Sequence, residues 1–133
     1  MIVVDSSALI AIALAEPEAE RLMHALHDAE ALAISAATVT ETLIVAMGRD
    51  CEAPITAMLD RFGIAIEPVT EARAKAAAAS YRRYGKGWHA ATLNYGDSFS
   101  YALAKEFDCP LLFIGNDFSL TDVKVALAKA GDG

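Results

Sequence analysis

The chain has 133 residues, a formal net charge of −7 and 55% hydrophobic residues, with a mean hydropathy of +0.33. That length fits one domain, residues 1–133, with a core of its own. The composition excludes a disordered polymer, and the acidic balance excludes a generic nucleic-acid-coating protein, which is normally basic.

In chain order, Ile2–Val4 is a short β-branched run that predicts a buried parallel strand ending at Asp5. Ser6 or Ser7 then offers a capping hydroxyl for a helix running through Ala15. Pro17 opens a second helix whose apolar face carries Leu22, Met23 and Leu26. Ala31–Ile34 reads as the second strand. A helix capped by Ser35 or Thr38 follows, carries Glu41, Leu43, Ile44 and Met47, and breaks at Gly48. Pro54–Phe62 predicts a helix that stops at Gly63, and Ile64–Ile66 a third strand. Glu71–Tyr84 is an alanine-rich helix, followed by a loop with Gly85, Gly87, Trp88 and His89. Asn94–Phe107 reads as helix, Leu111–Ile114 as the fourth strand, and Leu120–Ala130 as a short final helix. Strands alternating with helices give an α/β fold on a central parallel sheet.

Four carboxylates fall at the ends or starts of these elements: Asp5, Glu41, Asp97 and Asp117. Each has a plain structural explanation when taken alone. Asp5 is placed to cap a helix, although Ser6 and Ser7 already supply hydroxyls for that task and leave its carboxylate free. Thr38 and Glu41 match a capping box. Asp97 lies near a helix N-terminus, where the dipole favours an acid, and Asp117 lies in a turn after Gly115 and Asn116. Their common feature is position. In an alternating strand–helix protein these junctions lie at one edge of the sheet, where binding sites form. Like charges meeting at about 4 Å repel by roughly 1–4 kcal/mol per pair. Such a cluster therefore calls for a divalent cation or for protonation.

The remaining features narrow the function classes. No apolar run is long enough to cross a membrane, and no basic leader precedes the first apolar residues, so the expectation is a cytoplasmic protein without a signal peptide. Cys51 and Cys109 lack any CxxC or histidine-rich setting and read as reduced thiols. Between Ala72 and Gly96 there is no acid, yet Arg73, Lys75, Arg82, Arg83 and Lys86 fall there. A solvated helix face explains such a strip, but its place just before Asp97 suits docking of a polyanion. Arg82, Arg83 and Lys86 are the candidate phosphate contacts, and Tyr84 or Trp88 the candidate stacking surface. Apolar residues on the first two helices also suit a partner segment or a dimer contact.

The segments MIVVDSSALIAIALAEPEAE, AATVTE, LNYGDSFSYALAKEFDCPLLF and GNDFSLTDV resemble the PIN-domain ribonucleases of the VapC toxin type. The resemblance runs over nearly the whole chain. It implies a PIN-like α/β fold, a central parallel sheet of four to five strands flanked by helices. It also implies Mg²⁺ or Mn²⁺ dependence, an RNA substrate, inhibition by a cognate VapB-type antitoxin, and a homodimer. By the same resemblance Asp5, Glu41, Asp97 and Asp117 form an acidic quartet. Asp5 and Asp97 would hold the metal, with Ser6 and Asn116 in support. Ser98 stands where many relatives carry Cys, and the fourth acid varies in position, which leaves Asp122 open beside Asp117. Two other readings compete: a catalytically silent module of the same fold that binds RNA or protein, and an aspartyl-phosphate phosphatase. The phosphatase reading lacks its second acid, because Ser7 occupies that place.

Overall fold

Val3 and Val4 point to opposite faces of one strand, and each anchors a different half of the core. A computed structural model describes residues 1–127 of the chain. Strands β1 (Ile2–Val4), β2 (Leu32–Ser35), β3 (Ala65–Glu67) and β4 (Leu111–Leu112) form one parallel sheet in the order β3-β2-β1-β4. Val4 shares one face with Leu32, Ile34 and Leu112, and packs on Leu9, Leu22, Leu26 and Ile55. Those residues come from helices α1 (Ser6–Ala13), α2 (Ala19–Asp28) and α4 (Glu52–Arg61). Val3 shares the other face with Ala33, Leu111 and Phe113, packed against Tyr84, Tyr101 and Leu103. Helices α5 (Glu71–Tyr84) and α6 (Tyr95–Glu106) supply these. Val3, Val4, all of β2 and both residues of β4 are thus buried, as expected when helices cover both faces of a parallel sheet.

The register pairs Ile2 with Leu32 on one side of β1, and Val3 with Leu111 on the other. The chain leaves β1 toward β2 and β3, then returns to place β4 on the opposite flank. That reversal opens a crevice beyond the carboxyl ends of β1 and β4, the usual ligand position in open α/β sheets. Helix α3 (Ala36–Gly48) begins where β2 ends, and α6 begins at the same edge before β4.

Several local expectations are corrected. Asp5 itself caps α1 through a bond from the Ser7 amide, so Ser6 and Ser7 do not relieve it of that duty. The cap of α3 is Ser35, which accepts from the Ala37 amide. Thr38 lies inside the helix with its hydroxyl toward Ser100, and the expected Thr38–Glu41 capping box does not form. Helix α1 ends at Ala13, with Ala15 at φ +52°. The expected helix over Leu120–Ala130 is absent in its described part, and residues 128–130 lie outside the described residues. There the chain runs extended beside β4, with the Leu111 amide donating to Lys124 O and the Ala126 amide to Leu111 O. Val125 makes a parallel bridge to Leu111. The open edge of β4 offers backbone hydrogen bonds, and pairing with it outweighs the segment's weak helical pattern.

Phe118, 1% exposed, packs on Phe113 with ring centroids 5.0 Å apart. This contact pins the turn that carries Asp117. Phe118→Ala is expected to cost about 3–5 kcal/mol, read as a lowered urea midpoint. A loss below about 1 kcal/mol would mean that the turn is anchored elsewhere.

Candidate active site

Asp5 is 2% exposed, and among the described residues every side-chain hydrogen bond to it comes from a neutral donor. Its Oδ2 accepts from the Ser7 amide at 3.1 Å and the Ser7 hydroxyl at 2.8 Å. Its Oδ1 accepts from the Ser100 hydroxyl at 2.6 Å, and Ser100 Oγ lies 3.3 Å from Thr38 Oγ1. Ser7 Oγ also accepts the Ile114 amide at 3.2 Å, which ties the chain after β4 to the end of β1.

Glu41 reaches across from α3, and its Oε1 accepts from the Ser6 hydroxyl at 2.9 Å. Its carboxylate lies against Gly96, where a Cβ would overlap Glu41 Oε2. Gly96 has ordinary backbone angles, so glycine serves here as space for the acid and not as a turn former. Asp97, 7% exposed, forms a capping box with Asn94. The Asp97 amide donates to Asn94 Oδ1 at 2.8 Å, and the Asn94 amide donates to Asp97 Oδ2 at 3.0 Å. Asp117 is exposed in the turn after β4, two residues past Gly115 at φ +89°.

Electrostatics joins what the sequence scatters. Burial pushes the Asp97 carboxyl up from an ordinary aspartate value to about 7, against the lowering effect of the Asn94 amide bond. The charges of Asp5, Asp117 and Glu41 push it the same way. Glu41 is also raised, by burial first, with the Ser6 bond opposing and the charge of Asp5 adding. Carboxylates from three other parts of the chain therefore act on Asp97 at the sheet's carboxyl edge. As described, the buried acids are turned toward hydroxyl and amide donors. Among the described residues no three His, Cys, Asp or Glu side chains stand in a ready ligand arrangement. The oxygen-only donor set, with no ion pair to these acids among the described residues, fits a hard divalent ion in place of a soft-metal site.

The other sequence-derived residues separate. Asp122 is taken up by the Tyr101 hydroxyl at 2.5 Å, Lys105 at 3.2 Å and Arg83 at 3.8 Å. These bonds, the Tyr101 one foremost, hold its carboxyl below the usual range. Arg83 is thereby tethered, while Arg82 lies over the Trp88 ring at 5.4 Å. Lys86 is exposed. Arg73 is committed to Glu67 and Glu106 at 3.1 and 2.9 Å and is not free for a substrate. Tyr84 is buried, which removes it as a stacking surface, whereas Trp88 is 62% exposed. Asn116 is exposed beside Asp117, its backbone carbonyl accepting from Ser119. Sequence reading missed Ser100 and Gly96. The available signal for the first was its spacing, three residues after Asp97 and so on the same face of the helix.

The sign of the Asp97 shift sets a pH dependence. A carboxyl raised in the folded state contributes stability that is present below its unfolded pKa of about 4 and is lost as pH rises through 7. Metal-free protein is expected to melt at a lower temperature at pH 7.5 than at pH 5, and Asp97→Asn to shrink that difference. An undiminished difference in the variant would put the titration elsewhere. Gly96→Ala is expected to leave the fold intact, since alanine suits a helix better than glycine. It should displace the Glu41 carboxylate and return its titration, followed by carboxyl-carbon NMR, toward the ordinary glutamate value.

Comparison with known proteins places this geometry in a family. The PIN domain pattern matches residues 2–124. Ribonuclease VapC of Mycolicibacterium smegmatis is 48% identical over 124 residues, covering 91% of this chain and 96% of that relative. Among solved structures, Mycobacterium tuberculosis VapC20, described as a sarcin-ricin loop cleaving toxin, superposes with a TM-score of 0.77 at 17% identity. That match covers 96% of this chain and 98% of the other. A toxin–antitoxin complex from Klebsiella pneumoniae matches with a TM-score of 0.71 at 20% identity, over 96% and 98% of the two chains. At such identities the two structures speak to the fold alone. The pattern match and the curated relative go further: the chain belongs to the PIN-domain family, in its VapC group.

Proposed function

We propose that this protein is a metal-dependent endoribonuclease, the toxin of a toxin–antitoxin pair, held in check by a VapB-type antitoxin. The observation that supports the reading is that helix α6 meets two acids from elsewhere, Glu41 lying against Gly96 beside Asp97 and Ser100 bonding Asp5, in a chain 48% identical to a curated ribonuclease. Asp5 and Asp97 would hold Mg²⁺ or Mn²⁺. When bound, such an ion neutralises charge on the phosphoryl oxygens and makes a water molecule more acidic.

The protein's own groups do the rest. Hydroxyls of Ser7 and Ser100 fix the Asp5 carboxylate, so it is oriented before any ligand arrives. Glu41, steadied by Ser6 and lodged against Gly96, is made more basic than an ordinary glutamate by its burial, which favours a general base. It takes the proton from the attacking water. Asp117, exposed at the rim, orients a second water for the leaving oxygen, with Asn116 beside it. The acidic pocket also suits inhibition, because an inserted arginine from an antitoxin would pair with these carboxylates bidentately.

Wild-type protein with Mg²⁺ or Mn²⁺ is expected to cut RNA, and EDTA to stop it. Glu41→Gln should slow cleavage by about 10²–10⁴-fold, and Asp97→Asn should abolish it. RNA cut by Asp97→Asn at the wild-type rate would remove the assignment. Absence of cleavage by the wild type, with RNA binding retained, would favour the catalytically silent module.

A further inference from the structure

Beside the acids lies a groove of about 470 Å³ between α5 and α6. Ala74 and Ala78 open it because their side chains stop at Cβ, while Tyr81, Tyr95 and Phe99 supply its aromatic lining. Lys86 is the charged side chain that lines it among the described residues. We infer that this groove is a nucleobase subsite, which seats an unpaired base next to the phosphate to be cut. The inference rests on the ribonuclease reading and deepens it.

Three observations point to a base as the occupant. The first is ring presentation. Tyr95 is 76% exposed and stands edge-on to Phe99, with centroids 5.1 Å apart and planes at 74°. A tyrosine so exposed, braced by a second ring, offers a flat face for stacking. The second is charge. The protein carries −7 overall, yet the segment from Ala72 to Gly96 that forms most of this groove contains no acid. Lys86 therefore offers an incoming polyanion a cation in a lining that itself carries no carboxylate. Its backbone is fixed, since the Tyr81 hydroxyl donates to Lys86 O at 3.3 Å and the Lys86 amide to Leu93 O at 2.9 Å. The third is position. Asn94 lines the groove and is also the partner of Asp97 in the capping box, so an occupant lies one side chain from a proposed metal-holding acid. Bases in a duplex are stacked and paired and cannot enter such a slot, which selects for single strands.

The test uses full-length protein carrying Glu41→Gln with Mg²⁺ present, to allow binding with little cleavage. Fluorescence anisotropy would follow a short single-stranded RNA, its duplex, and an abasic ribose-phosphate strand of equal length. Ala78 is exposed and leucine is a good helix former, so Ala78→Leu fills the groove without disturbing the core. It is expected to weaken the base-bearing single strand about tenfold and to leave the abasic strand unchanged. Tyr95→Ala should do the same, whereas Lys86→Ala should weaken both strands. Equal losses for base-bearing and abasic strands, or no loss, would overturn the subsite, as would duplex binding equal to single-strand binding. Unchanged RNA affinity in Ala78→Leu with an altered elution volume would assign the groove to a second copy. Unchanged RNA affinity with lost antitoxin inhibition would assign it to a protein partner. Either result overturns the proposal. Cleavage assays on the Glu41 background's parent separate the two readings: a wild type that cuts no RNA removes the ribonuclease, while an Ala78→Leu single variant that cuts as fast as wild type removes only the groove.

Discussion

Confinement of like charge is the constraint around which this molecule is arranged. Asp5 and Asp97 are buried and Glu41 is half-buried, and the charges of Asp5 and Glu41 both act on Asp97. Hydroxyls and amides hold them: Ser6, Ser7, Ser100 and the Asn94 amide each donate to one of these acids. Neutral donors stabilise a carboxylate without cancelling its charge. Basic partners would have relaxed the repulsion and also closed the pocket to a cation. The same protein uses ordinary ion pairs elsewhere, at Arg73 and at Asp122, so their absence from these acids among the described residues is local.

The fold serves that confinement through its strand order. With β1 between β2 and β4, the acid at the end of β1 lies at the point where the chain's direction of travel across the sheet reverses. Helices α3 and α6 begin at the same edge and bring Glu41 and Asp97 to it. Ser7 then joins the two strand ends directly, bonding both Asp5 and the Ile114 amide. A residue chosen by sequence as a mere cap thus secures the crevice's two walls to each other.

Much of this was legible in the chain, because strand periodicity and helix breaks are local signals. β1 was read with its exact bounds, and β2, β3 and β4 within a residue or two. The four acids stood at recognisable junctions. What the sequence hid was the identity of each hydrogen-bond partner. Ser6 and Ser7 look interchangeable as caps, yet one serves Glu41 and the other Asp5, since successive helix residues point about 100° apart. The final segment misled for another reason. Leu120, Val123 and Leu127 have helical spacing, but the unpaired edge of β4 captures Val125, an interaction between positions fourteen residues apart that no local pattern encodes.

That capture has a further consequence for how the protein avoids its own kind. Sheet borders expose rows of unused amides and carbonyls, which invite strands from other molecules. On the β4 side the 124–126 backbone occupies them. On the β3 side the border is only three residues long, and its Glu67 is clasped by Arg73, itself locked to Glu106. A short rim guarded by a charged clasp gives an intruding strand little to zip onto. For an acidic chain with over half its residues apolar, both borders are thereby protected against runaway self-association.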